Sequence, residues 1–164
     1  MHKLTPSDPP CIMADSGEVV TFAELEARSN QGAQLFRKIG LKTGDCSAIY
    51  MGNNARYLEI CWAANRCGLY YTCIATHLTA PEVGYIVADC DAKLFLTSKV
   101  KRAGTIELDK ELPSGLLLYM VGAPATDYQS WQSCCAAMAT TRIEDETEGR
   151  AFLYWSGTTG ALKV

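Results

Sequence analysis

The sequence predicts an α/β fold, a mostly parallel sheet with helices on both faces. Short apolar segments alternate with segments of helical periodicity through the middle of the chain. Such alternation is typical of parallel strands joined by helical crossovers. The apolar segments are continuous rather than alternating with polar residues, which indicates strands that helices cover on both faces.

The N-terminal part predicts an irregular arm, a small hairpin and a first helix. Residues 1–10 contain three prolines, which favours an arm without regular structure. The turn signal Asp15-Ser16-Gly17 separates two short segments that we expect to pair. Thr21 and Glu24 have the spacing of a capping box, and Gly40 has the place of a C-cap glycine. A helix is therefore expected between them.

The central part predicts three strands connected by two helices. Strands are expected at residues 46–51, 70–75 and 92–97, and helices at residues 55–66 and 79–87. Thr79 and Glu82 form a second capping-box pair, with Pro81 between them. Trp62 is expected on the buried side of the first of these helices, because its neighbours at helical spacing are apolar.

The last third predicts a strand, a helix, a loop and a final strand. We expect the strand at residues 116–121 and the helix at residues 127–139, with Trp131 in the core. The acidic residues 142–150 predict a solvated loop. The apolar and aromatic residues 151–155 predict a short buried strand.

Composition restricts the class of protein. The chain has 164 residues, 48% hydrophobic and 20% charged, which suits one globular domain. Its net charge of −3 predicts no basic face for nucleic acid or anionic lipid. No signal-peptide core or apolar run of about 18 residues is present, so we expect a cytoplasmic protein without a membrane span.

The eight cysteines have no metal-binding spacing, and we interpret most of them as small buried side chains in a reducing compartment. A disulfide framework is the less favoured alternative. They are Cys11, Cys46, Cys61, Cys67, Cys73, Cys90, Cys134 and Cys135.

The segment that carries chemistry stands at the C-terminal end. Ser156-Gly157-Thr158-Thr159-Gly160 follows the last predicted strand, and Lys163 comes three residues later. Glycines let main-chain N–H groups approach an anion, while the hydroxyls and the lysine add donors and charge. These are the parts of a phosphate site, although a hairpin turn rich in Gly and Thr has the same composition. The Walker A and Rossmann spacings are absent.

This segment resembles the phosphate-binding signature of the acyl-adenylate-forming superfamily, which includes acyl-CoA synthetases, peptide-synthetase adenylation domains and luciferases. Upstream segments resemble the same superfamily in the same order. The similarity covers residues 9–163 and is closest to bacterial fatty-acid–CoA ligases. The segments are Thr21-Phe22-Ala23-Glu24-Leu25, Leu41-Lys42-Thr43-Gly44-Asp45 and the stretch from Cys61 to Thr72. Departures from the family pattern occur at Cys73, Ala75, Trp155, Leu162 and Val164.

The resemblance implies the N-terminal part of the large domain of an AMP-forming acyl-CoA synthetase, with residues 152–164 as its phosphate-binding end. The implied substrates are ATP with Mg²⁺, a carboxylic acid and CoA. The residues implied to bind the ATP phosphates are Ser156, Gly157, Thr158, Thr159, Gly160 and Lys163.

The same resemblance implies that residues 1–164 lack most of the family's active site, so we expect no ligase activity from this chain alone. No catalytic or metal-binding residue is expected in it. Two alternatives stay open at this point. The chain is either a non-catalytic module that self-associates or complements another chain, or part of a peptide-synthetase-type adenylation domain. Acyl chain length cannot be read from these residues.

Overall fold

The computed structural model describes residues 5–8, 11–12, 17–99, 107–156 and 162–163. It contains ten strands and five helices within those ranges. The strands are β1 Cys11–Ile12, β2 Val19–Val20, β3 Cys46–Tyr50, β4 Tyr70–Cys73, β5 Ala92–Ser98, β6 Leu117–Val121, β7 Gln129–Ser130, β8 Arg150–Ala151, β9 Trp155–Ser156 and β10 Leu162–Lys163. The helices are α1 Phe22–Lys38, α2 Ala55–Arg66, α3 Ala80–Asp89, α4 Leu108–Glu111 and α5 Trp131–Ala136.

Six strands form the central sheet in the order β7-β6-β5-β3-β4-β8, and every pairing in it is parallel. Side chains alternate between two buried layers. Ile49, Leu94 and Leu96 pack with α1, α2 and α5 on one face. Phe95 and Met120 pack with α3 and α4 on the other. The predicted fold class is confirmed, with helices on both faces.

The N-terminal elements form as their local sequence predicts. Strands β1 and β2 pair antiparallel, while most of the turn between them lies outside the described residues. The Thr21 hydroxyl accepts from the Glu24 N–H, and the Glu24 carboxylate accepts from the Thr21 N–H at 2.8 Å. Helix α1 ends at Lys38, and Gly40 follows with φ of 89°. This left-handed conformation suits glycine at a helix C-terminus.

Helices α1 and α2 approach closely because glycine and alanine meet at their contact. A Cβ added at Gly32 would lie 2.7 Å from the Cβ of Ala63 and 3.1 Å from the ring of Trp131. Trp131 on α5 fills the space beside this contact and is buried, as the sequence predicted. It also lies edge-on to Tyr119 of β6, which links the helical layer to the sheet.

The prediction that Trp62 lies in the core is wrong. Helix α2 buries Ile60, Ala63 and Ala64 against α1 and the sheet. With that face of the helix turned inward, Trp62 is 41% exposed. The periodicity signal was ambiguous because apolar residues occur on more than one side of α2. Two shorter differences also occur: the helix expected at residues 127–139 is reduced to α5, and α4 has no clear signal in the sequence.

Candidate functional site

The predicted phosphate segment contains a two-stranded hairpin. Strands β9 and β10 pair antiparallel, with Leu162 opposite Ser156 and Lys163 opposite Trp155. Two of the six predicted site residues, Ser156 and Lys163, are therefore brought together on neighbouring rungs. The other four, Gly157, Thr158, Thr159 and Gly160, lie outside the described residues.

An ion-pair network holds the segment that leads to this hairpin. Arg66, at the end of α2, is buried and forms ion pairs with Glu26 of α1 and with Glu146, the latter at 3.0 Å. Arg142 joins the network through Glu26 at 3.0 Å. Partial burial works against the charge on Glu26, but the two arginines outweigh it and lower the pKa of Glu26 overall. The network fixes residues 142–146 to both long helices.

Main-chain hydrogen bonds hold the next residues against the end of α2. The Thr147 N–H donates to the Arg66 carbonyl at 3.0 Å, and the Gly149 N–H donates to the Asn65 carbonyl at 2.7 Å. The side-chain amide of Asn65 donates a hydrogen bond to the Gly149 carbonyl at 2.9 Å. A Cβ at Gly149 would lie 2.3 Å from the Leu69 carbonyl oxygen, so only glycine fits this close approach.

Strand β8 then pairs with β4, and the chain continues over the α3 side of the sheet. The Arg150 N–H donates to the Leu69 carbonyl, and the Phe152 N–H donates to the Tyr71 carbonyl at 2.8 Å. The Tyr154 hydroxyl donates to Asp89 at the end of α3, at 2.7 Å. Partial burial and this bond raise the pKa of Tyr154. The residues that lead into the hairpin are thus tied to the edge of the sheet at β4 and to α3 on one face.

These contacts refine one prediction from the sequence and correct another. The solvated loop predicted at residues 142–150 is confirmed in the main, since seven of these nine residues are exposed and no helix or strand begins before Arg150. It differs from the prediction at Ile143 and Gly149, which are buried, and at Glu146, which pairs with Arg66. Residues 151–155 are not a buried strand, since Leu153 is 57% exposed and Ala151 is exposed. The ion pairs of Asp145 with Arg37 and of Glu146 with Arg66 could not be predicted because both arginines are distant in the sequence.

A cavity of about 370 Å³ lies at the amino ends of β3, β4 and β5, beside Phe152 of this segment. It is lined by Cys46 and Tyr70, which begin β3 and β4, and by Asp91, Lys93 and Phe152. Ligands of open α/β sheets bind outside the carboxyl ends of the strands. This cavity opens at the amino ends, and we therefore do not assign it to the phosphate segment.

The sheet order marks a further position that the sequence did not reveal. From β3 the chain moves through α2 to β4 on one side, then through α3 to β5 on the opposite side of β3. Such a reversal opens a crevice at the carboxyl ends of the two central strands, here Tyr50 and Ser98. The buried Thr97 hydroxyl has no hydrogen-bond partner within the described ranges. Which side of β3 each strand occupies cannot be read from local periodicity.

Metal-binding clusters and membrane-spanning helices are both absent from the described residues. No group of three or more His, Cys, Asp or Glu side chains there could hold a metal ion. Each helix in those ranges is too short or too polar to cross a bilayer. Seven cysteines, all except Cys11, are described as free thiols. Four of them are buried, as the sequence predicted for most.

Comparison with known proteins gives one family over nearly the whole chain. Residues 3–164 match the family described as AMP-binding enzyme. The 2-succinylbenzoate–CoA ligase of Oceanobacillus iheyensis is 27% identical over 160 residues, covering 96% of this chain and 30% of that protein. The long-chain-fatty-acid–CoA ligase FadD13 of Mycobacterium tuberculosis is 28% identical over 149 residues, covering 88% and 28%.

Solved structures show the same architecture. ATP-bound MatB from Rhodopseudomonas palustris aligns with a TM-score of 0.76 at 27% identity, over 98% of this chain and 32% of that one. The inhibitor-bound N-terminal domain of FACL13 from Mycobacterium tuberculosis aligns with a TM-score of 0.78 at 25% identity, over 93% and 38%. The chain therefore spans between 28% and 38% of the length of the proteins compared here.

Proposed function

Because the chain belongs to the AMP-binding enzyme family, we propose that it is the N-terminal part of an ATP-dependent, AMP-forming acid–CoA ligase. In that reaction the carboxylate attacks the α-phosphorus of ATP, giving an acyl-adenylate and pyrophosphate. The thiol of CoA then attacks the acyl carbon, and AMP leaves. We propose a fatty acid as the acid, which the similarity to a long-chain-fatty-acid–CoA ligase supports.

The proposed role of this chain is to hold the phosphates that leave. The main-chain N–H groups and hydroxyls of residues 156–160 would donate to the β- and γ-phosphates, and Lys163 would neutralise their charge. The observation that carries this role is the hairpin register, which sets Ser156 and Lys163 on neighbouring rungs at the two ends of the glycine loop. Our assignment therefore covers Ser156, Gly157, Thr158, Thr159, Gly160 and Lys163.

Mg²⁺ and CoA enter this proposal only with the substrates. Mg²⁺ commonly binds through substrate phosphates and keeps several waters. The residues proposed here would contact the phosphates, and no protein-bound metal is required of them. We propose a cytoplasmic location, where ATP and CoA are available.

We further propose that residues 1–164 are one segment of the large domain and do not complete the reaction alone. Adenylation needs the acid, the α-phosphate and several charge-stabilising groups positioned together. The proposed residues address only the leaving pyrophosphate. The purified chain should therefore show no exchange of pyrophosphate into ATP, with fatty acids or with amino acids. Measurable exchange would contradict this part of the proposal.

Calorimetric titration with ATP and Mg²⁺ tests the phosphate site itself. Lys163→Ala removes a charge-assisted contact and should weaken ATP binding about tenfold or more. The matched control is Lys93→Ala, because Lys93 is an exposed lysine that pairs with Asp91 at 2.8 Å at the amino end of β5. Lys93→Ala should leave ATP affinity unchanged. Absence of ATP binding, or equal binding by Lys163→Ala and the unchanged chain, would reduce the hairpin to a structural turn.

A non-catalytic, self-associating module is a second candidate. Trp62 and Leu58 lie one helical turn apart on α2 and are 41% and 38% exposed. Large apolar side chains at the surface favour association. Light scattering at micromolar concentration should show a dimer or larger species, and Trp62→Gln should shift it towards monomer. Tyr85→Gln, which alters an equally exposed aromatic residue on α3, should not. A monomeric unchanged chain would exclude this candidate.

A peptide-synthetase-type adenylation domain is the alternative within the enzyme class. It shares the phosphate segment, so nothing in residues 156–163 separates it from a fatty-acid ligase. Pyrophosphate exchange by the whole gene product would distinguish the two. Dependence on a fatty acid supports the main proposal, and dependence on an amino acid supports this alternative.

A further inference from the structure

Two cysteine side chains meet between α2 and β4. The sulfur of Cys61, in the middle of α2, lies 3.9 Å from the sulfur of Cys73, the last residue of β4. Cys61 is buried and Cys73 is exposed. The proposed ligase function uses neither residue. Nothing in that chemistry therefore accounts for two thiols in contact at this position.

The two thiols are held by ordered elements rather than by loops. Cys61 lies in the second turn of α2, beside Ile60 and Ala63 of the core. Cys73 ends a strand that pairs with β3, opposite Ile49, and the next residue, Ile74, donates its N–H to the Ile49 carbonyl at 2.9 Å. A disulfide requires a sulfur separation of about 2 Å. The sulfurs need to approach by less than a bond length each, which side-chain rotation can supply.

Cys73 is the more accessible of the two. The hydrogen bond from the Cys61 thiol, with a further one from the Tyr57 hydroxyl, lowers the pKa of Cys73 to about 7. The thiolate, not the thiol, attacks an oxidant. An exposed thiolate next to a second thiol is the arrangement found in redox-sensing cysteines. The same contact and burial raise the pKa of Cys61, which favours its thiol form.

We propose that Cys61 and Cys73 form an oxidation site that hydrogen peroxide converts into an intramolecular disulfide, joining α2 to the end of β4. The Cys73 thiolate attacks one peroxide oxygen, the O–O bond breaks, and hydroxide takes up a proton to leave as water. Cys73 is then a sulfenic acid. The Cys61 sulfur attacks the Cys73 sulfur, the S–O bond breaks, and the Cys61 proton leaves with hydroxide as a second water. One peroxide is reduced and two thiols are oxidised.

Cys46 and Cys90 form a second thiol pair in contact, and the contact with Cys46 lowers the pKa of Cys90, but Cys90 is only half-buried and Cys46 is buried, so neither thiol of that pair is exposed. Cys46 and Cys67 are buried within the sheet and helix layers, and Cys67 donates to the Ala33 carbonyl. Cys134 and Cys135 are neighbours on α5, where adjacent residues point in different directions. Among the described cysteines, the site combines an exposed attacking thiol and a resolving thiol only at Cys73 and Cys61. The proposal does not depend on the ligase function.

Peptide mapping of the full chain tests the site. The reduced chain is treated with stoichiometric hydrogen peroxide at neutral pH, alkylated, and digested with trypsin without reduction. Cleavage after Arg56, Arg66 and Lys93 places Cys61 in peptide 57–66, where it is the only cysteine, and Cys73 in peptide 67–93. The expected result is a linked 57–66/67–93 species whose fragments assign the bond to Cys73, and which a phosphine reductant separates.

Single-cysteine substitutions show which residues form the disulfide. Cys73→Ser alters an exposed side chain and should abolish the linked species, whereas Cys134→Ser and Cys90→Ser should retain it. Cys67→Ser should also retain it, and both controls matter because Cys67 and Cys90 share peptide 67–93 with Cys73. The oxidised chain should also unfold at a higher temperature than the reduced chain, and Cys73→Ser should remove that shift. Sulfinic acid at Cys73 without linkage, a linkage that survives Cys73→Ser, or linkage only between chains would each overturn the proposal.

Discussion

The central strands and the C-terminal segment are neighbours in one fold, yet different contacts hold them. Strands β3, β5 and β6 are apolar, paired on both sides and buried in two hydrophobic layers. The segment 142–154 contributes few buried apolar side chains. It is held by the Arg66 ion pairs, by main-chain bonds to residues 65–71 and by the close approach at Gly149.

This difference indicates which interactions stabilise the sheet and which position the C-terminal segment. Apolar burial supplies most of the free energy of folding and is not directional. Hydrogen bonds and ion pairs contribute less but fix geometry. The segment that leads to the proposed phosphate residues is held mainly by hydrogen bonds and ion pairs. Substitutions that leave the sheet intact can therefore displace the C-terminal segment. Substitutions distant from the segment can likewise destabilise the sheet.

The largest effect is expected from truncation in the sheet. Phe95 of β5 is fully buried, and Phe95→Ala should lower the free energy of unfolding by about 3–5 kcal/mol. Leu153→Ala, in the C-terminal segment, should change it by less than about 0.5 kcal/mol, because Leu153 is mostly exposed. Urea denaturation followed by circular dichroism measures both. Equal losses from the two substitutions would remove the contrast between the regions.

A smaller and local effect is expected from Gly149→Ala. The added methyl group would meet the main chain of Leu69, and the displacement should lower the free energy of unfolding by about 1–3 kcal/mol. Hydrogen exchange at the Arg150 and Phe152 amides should accelerate more than exchange in β5. Gly52→Ala is the matched control, since nothing lies within 4 Å of a Cβ there. Uniform acceleration across the sheet would show that the segment is not a separate unit.

The smallest effect concerns pH. Arg142 and Arg66 lower the pKa of Glu26 below its ordinary value of 4.5. A group with a lowered folded pKa stabilises the fold above its unfolded pKa, and this contribution is lost as pH falls through the folded value. Glu26→Gln should therefore destabilise the chain by at most about 1 kcal/mol near neutral pH, and progressively less below about pH 4.5.

The measurement is the difference in unfolding free energy between the unchanged chain and Glu26→Gln, taken at several pH values. Glu144→Gln is the control. Glu144 is exposed and makes no ion pair in the described part of the chain. A Glu26→Gln difference that stays constant with pH, or that grows on acidification, would show that the carboxylate charge does not hold the segment.

Much of the sheet could be predicted from the sequence because its signals are local. The apolar runs at β3 and β5, and the caps at Thr21 and Thr79, each act within a few residues. The phosphate segment was recognised by the same means, from the order of Gly, Thr and Lys. The fold class and family are confirmed, whereas the role of residues 156–163 stays a prediction.

The features that could not be predicted depend on contacts between residues that are distant in the sequence. Arg66 and Glu146 are 80 positions apart, and nothing near either residue indicates that they pair. Gly149 could not be recognised as a packing glycine, because its neighbour Leu69 belongs to another element. Trp62 was assigned to the core by apolar periodicity, but small residues on α2 decided which side faces α1. The order of strands in the sheet is of the same non-local kind.

The outermost strands of the sheet, β7 and β8, are each two residues long. An edge of that length offers few unpaired main-chain groups, so another chain gains little by adding a strand to it. Growth of the sheet from molecule to molecule, as in fibrils, is therefore disfavoured at both ends. A concentrated solution of this chain should remain free of cross-β aggregates while the sheet stays folded.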